Sequence, residues 1–157
     1  SNNSGNNNNN SNNNSKTEVK SVSLNKSKLT LYKNGKNSER AYTCLKMAWL
    51  TRGKRELLMT GEYKNDEIQA LVKEERELLK NALEGFEAAF QKEDFPMCGM
   101  DQYTMLYLMA ELSRRTGQND AAKRYVSKVL VARGAQKRIK EKAFALKEKL
   151  KESDEKE

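Results

Sequence analysis

Histidine is missing from this chain. Its absence removes the commonest general base, the commonest metal ligand, and every Ser-His or Cys-His nucleophile arrangement. Cysteine occurs only at Cys44 and Cys98, too few for a disulfide framework and too isolated for a zinc site, which needs four ligands clustered at short spacings. No apolar run approaches the roughly 20 residues that cross a bilayer. A single proline, Pro96, leaves long stretches free to be helical. These absences predict a non-enzymatic protein with no metal, no cofactor and no membrane partner. Two thiols outside any framework suit a reducing, cytoplasmic setting.

What remains is a chain that is 33% charged and 36% hydrophobic, a balance that suits a helix-rich protein. Residues 1–15 are only Ser, Asn and Gly, and no Met begins the numbering. The sequence therefore reads as part of a longer protein or as a chain with an added tail. Residues 1–36 are expected to form a disordered Asn/Ser/Lys-rich lead-in or linker, because such a composition buries too little apolar surface to offset ordering entropy. Residues 37–152 are expected to form one helical domain, and residues 153–157 a charged tail.

Charge is unevenly placed. Residues 65–94 carry nine acidic groups against four basic ones, whereas residues 118–142 carry eight basic groups against Asp120 and Glu141. A basic end of this kind suits an acidic partner or nucleic acid, or serves solubility alone.

Five helices follow from apolar periodicity and its punctuation. The first is expected over about 39–52, burying Ala41, Tyr42, Leu45, Ala48 and Trp49, with Gly53 as its stop and 54–65 as a connection. The second, about 66–92, buries a stripe from Ile68 through Leu71, Val72, Leu78, Leu83 and Phe86 to Phe90 and ends before Pro96. Asp101 is placed to cap a third helix that Gly117 closes. A fourth runs over about 120–132, with Ala122, Tyr125, Val126, Val129 and Leu130 inward. A fifth, about 136–151, shows only the narrow stripe Ile139, Ala143, Leu146 and Leu150, as befits a helix covered on one side at the end of a stack.

Two triplets, Ala82-Phe86-Ala89 and Ala122-Val126-Val129, match the second half of a tetratricopeptide (TPR) repeat, where small residues let paired helices approach closely. They lie 40 residues apart, more than the usual 34 or so. The fold expected is all-α: TPR-like antiparallel helical hairpins with an insertion and a C-terminal capping helix.

A narrower likeness rests on the string from Leu45 through Met47, Ala48, Trp49 and Leu50 to Arg52, on Phe95-Pro96 to Asp101, and on the run from Tyr107-Leu108-Met109 through Glu111-Leu112 to Arg114-Arg115-Thr116-Gly117. Over about 39–133 the chain resembles the C-terminal helical part of an uncharacterised bacterial protein family. The resemblance implies TPR-like helices preceded, in family members, by a cysteine-rich, zinc-ribbon-like segment. This chain lacks the paired cysteines, so a metal-dependent role would belong to a portion before Ser1 or be absent. The family brings no activity with it.

Candidate binding residues are Trp49, Arg52, Arg114, Arg115, Arg124 and Lys128. Trp49 with Arg52 suggests an aromatic and cationic shelf, or else a core tryptophan. Arg114 and Arg115 form either an anion-gripping pair or a positively charged helix end, with Glu111 and Arg115 paired one turn apart. The glutamates 74, 75, 77, 84 and 87 read as a solvated acidic face rather than a di-metal site, which would recruit histidine. Cys98 reads as an ordinary loop thiol. Arg124 and Lys128 are the nearest approach to a phosphate-binding face. The function expected is a protein or peptide interaction scaffold, with nucleic-acid binding through residues 123–142 as the alternative.

Overall fold

A computed structural model describes residues 36–156. The expectation for residues 1–35 lies outside them. Five helices follow one another: α1 (Asn37–Leu58), α2 (Asn65–Lys92), α3 (Gln102–Arg115), α4 (Asn119–Val131) and α5 (Lys137–Glu155). The described residues contain no strand, only an isolated bridge between Met97 and Met100.

Successive helices run antiparallel. In the first pair, Arg52 reaches Glu75 while Ser38, near the other end of α1, hydrogen-bonds Glu93. The two helices approach so closely at Gly85 that a Cβ there would lie 2.8 Å from that of Ala41. The interface is built from small and medium residues, Ala41, Cys44, Leu45 and Ala48 of α1 and Leu78, Ala82, Leu83, Phe86 and Ala89 of α2, all buried. The second pair turns at Gly117, whose φ of +79° suits a residue without a Cβ. Helix α4 brings Ala122, Val126 and Val129 against α3, where Met105, Met109, Ala110 and Leu112 are buried. Thus both triplets that suggested a repeat do line helix contacts. Helix α5 packs on α4 and also touches α3. Its stripe of Ile139, Ala143, Leu146 and Leu150 is buried as expected, and the helix continues to Glu155.

Several boundaries and placements differ from the sequence reading. Helix α1 passes through Gly53 and ends at Leu58, because its packing on α2 continues past the glycine. The expected connection from 54 is thereby shortened to a turn after Leu58. Trp49 and Val72 are not core: they are 45% and 40% exposed. Tyr125 is only half-buried, since its hydroxyl reaches out to Glu87 on α2. Glu75 is not part of a solvated face; it is 7% exposed, turned inward to two arginines of α1.

Between α2 and α3, Met97 and Met100 exchange two backbone hydrogen bonds of 2.9 Å each. The two residues they enclose, Cys98 and Gly99, both have positive φ, +50° and +74°. This tight turn delivers the chain to Asp101, whose carboxylate accepts from the Thr104 backbone N–H at 2.8 Å and caps α3.

Candidate functional site

Helices α1 and α3 are each antiparallel to α2 and therefore parallel to one another. Between them lies an apolar groove of about 250 Å³, lined by Tyr42, Leu45 and Trp49 on one side and Cys98, Met100, Thr104, Tyr107 and Leu108 on the other. The α1 residues recur at intervals of three and four, one face of a helix; so do Thr104, Tyr107 and Leu108. Trp49 packs edge-on against Tyr42, with ring centroids 6.3 Å apart, and the Lys46 ammonium lies 5.0 Å above the Tyr42 ring. This arrangement explains how a tryptophan remains half in solvent. Across the groove stand Tyr107 and Leu108 of α3, and among the described residues Trp49 is 45% exposed.

Cys98 holds its thiol toward the backbone oxygen of Ser38, 3.5 Å away. Burial pushes that thiol's pKa up, as do the charges of Glu93 and Glu39, against the Ser38 contact and Lys46. It is a poor thiolate and so a poor nucleophile. The Tyr107 hydroxyl is likewise shifted upward, by burial and then by Glu111.

One to two turns further along both helices the character of the site changes. Arg55 of α1 and Arg115 of α3 face a second recess of about 220 Å³, floored by Val72, Glu75, Arg76 and Leu79 of α2. Glu75 accepts from Arg52 Nε at 3.0 Å and from Arg55 Nη2 at 2.7 Å. Among the described residues, Arg55 Nε is buried without an acceptor. Arg76 donates to the Thr116 carbonyl oxygen at 3.1 Å, bracing the end of α3. Glu111 accepts from Arg114 at 2.7 Å and from Arg115 at 2.8 Å. Burial alone raises the Glu111 pKa, but the hydrogen bonds and charges of the two arginines outweigh it and hold the carboxyl below its ordinary value.

The sequence candidates are therefore scattered over three places. Trp49 lines the apolar groove. Arg52 does not join it in a shelf, since its guanidinium turns to Glu75 on α2. Arg114 and Arg115 form the Glu111-paired helix end, and Arg115 also borders the second recess. Arg124 and Lys128 are exposed on α4, away from both. Meanwhile Lys123 pairs with Asp154 of α5. Tyr42, Thr104, Tyr107 and Leu108 were missed as site residues. Their helical spacing was visible, but it is the same spacing that marks a core face.

Among the described residues no cluster of three or more cysteine or carboxylate side chains is arranged to hold a metal ion, and no helix is long and apolar enough to cross a membrane. Residues 7–151 match a family described as "Uncharacterized protein conserved in bacteria (DUF2225)". Neither the curated proteins nor the solved structures offer a match.

Proposed function

The chain belongs to this family of uncharacterised proteins conserved in bacteria, and we propose, from its own groove, that it is a non-enzymatic, TPR-like interaction module that holds a protein or peptide segment between α1 and α3. The observation that carries the reading is the solvent-facing Trp49 on an apolar channel whose two walls are parallel helices of successive hairpins. In stacked helical hairpins the first helix of each pair lines a common surface, and that surface is where such scaffolds take their ligands. Large aromatic side chains held half in solvent are what an interface anchor requires, since they bring much contact area at little entropic cost. The non-enzymatic part of the proposal rests on the lining: its one thiol is shifted away from thiolate, and the neighbouring carboxylates are engaged by arginines. The two free thiols suit a cytoplasmic setting.

Affinity capture from a bacterial lysate tests this reading when wild type is compared with two double variants. Trp49→Ala with Leu108→Ala is expected to lose the retained protein, and Arg124→Glu with Lys128→Glu to keep it. Retention that survives the groove variant overturns the proposal. A second reading, nucleic-acid binding, is favoured by the exposure of Arg124 and Lys128 on α4. It predicts the reverse pattern, with retention abolished by nuclease and falling steeply with salt.

A further inference from the structure

The apolar groove and the arginine-lined recess lie along the same pair of helices. From Leu108 to Arg115 is seven residues of α3, and from Trp49 to Arg55 six of α1, so the two sites are about 10 Å apart along parallel axes. Glu111 and Arg115 continue the face of α3 that carries Thr104 and Leu108, at intervals of three or four residues. The charge around the recess is one-sided. Among the described residues, Arg52 and Arg55 share Glu75, Arg114 and Arg115 share Glu111, and Arg76 donates to the Thr116 carbonyl oxygen. Each glutamate is shared by two guanidiniums, so neither saturates the donors around it; a guanidinium carries five N–H groups. The Nε of Arg55 is one such donor with no acceptor among the described residues.

Resting on the reading of the α1–α3 groove as a peptide site, we infer that its occupant is an extended segment bearing an apolar side chain and, three or four residues away, a carboxylate. The apolar side chain enters between Trp49 and Leu108, and the Asp or Glu side chain reaches Arg115 and Arg55. The spacing follows from geometry. An extended chain advances about 3.1–3.3 Å per residue; side chains return to the same side every three residues in polyproline II and every two in a β conformation, so separations of three and four residues put two side chains on one side about 9–13 Å apart. Arginine forks favour a planar carboxylate, and a partly dry recess strengthens that contact.

The probe is a display library of random heptapeptides selected on the full chain, with binding of the enriched peptides followed by the fluorescence of Trp49, the only tryptophan. The expected result is enrichment of peptides with Leu, Met or Phe three or four positions from Asp or Glu. Replacing that acid by its amide should weaken binding about tenfold, the loss of one charge-assisted contact. Arg115→Glu should do the same; Arg115 is exposed, so the fold tolerates the change, and an unshifted thermal midpoint verifies it. Peptides that perturb Trp49 but show no acid preference, or an Arg115→Glu variant of unchanged affinity, overturn the inference and leave the groove as a peptide site. Failure to enrich any peptide that perturbs Trp49 overturns the peptide-groove reading as well.

Discussion

Glu75 shows what burial does to a residue whose neighbours in sequence are all charged. It lies in the run Glu74-Glu75-Arg76-Glu77, and nothing in that run distinguishes it. Its register does, four residues after Leu71 and three before Leu78 on the buried stripe of α2, and α1 supplies the partners, since Arg52 and Arg55, three residues apart on one helix face, both meet it. Replacing Glu75 by Gln leaves two partly buried guanidiniums short of their counter-charge. Urea denaturation should show a loss of about 2 kcal/mol, within the range for breaking one side of a partly buried ion pair. Glu111 sets a pH dependence of the same origin. Its pKa is lowered on folding, so the stability it contributes is complete above the ordinary carboxylate range and is lost as pH falls through the folded value. Glu111→Gln is expected to flatten the acid limb of a stability-versus-pH curve, and an unchanged limb would contradict the assignment. The pairing of Glu111 with Arg115 is legible in the sequence, since it depends only on spacing within one helix; Arg114 joins it in the structure. The pairing across helices is not legible in the sequence.

At the scale of elements, two glycines inside helices make opposite predictions. Gly53 lies in α1 where, among the described residues and apart from the helix's own adjacent backbone, nothing stands within 4 Å of a Cβ. Gly53→Ala should therefore stabilise the protein by up to about 1 kcal/mol, the intrinsic helical cost of glycine. Gly85 lies in α2 where the Ala41 side chain and the Asn37 carbonyl oxygen crowd the same site, at 2.8 and 3.2 Å. Gly85→Ala should destabilise, because separating two packed helices costs about 1–3 kcal/mol and exceeds the gain in propensity. Thermal melts of the two variants check both signs. The sequence reading treated Gly53 as a stop because punctuation by glycine is a local rule; the packing that carries α1 past it is not local. Where the signal was local it served well. Asp101 caps α3, Gly117 ends it, and the apolar stripe of α5 is the buried one. Trp49 was assigned to the core because an aromatic stripe at helical spacing looks the same whether it faces a neighbouring helix or a groove left beside one.

At the scale of the whole described region, residues 36–156, α1 pairs with α2 and α3 with α4, while α5 packs on α4 and touches α3. Removing α5 therefore exposes apolar faces of α3 and α4 that it covers. Truncation after Gly134 is expected to lower the thermal midpoint and expose apolar surface to a hydrophobic dye. The all-helical class and the order of helices could be read from periodicity alone. The groove could not, because it depends on α1 and α3 standing apart above α2, a relation between segments some 50 residues distant in the chain.

That relation is also the central claim, and amide chemical-shift mapping of a bound peptide on the full chain tests it most directly. With a peptide enriched from the random library, the shifts are expected to be confined to 42–55 of α1 and 98–115 from the turn through α3. Shifts concentrated instead on α4 and α5, around Arg124 and Lys128, would contradict it.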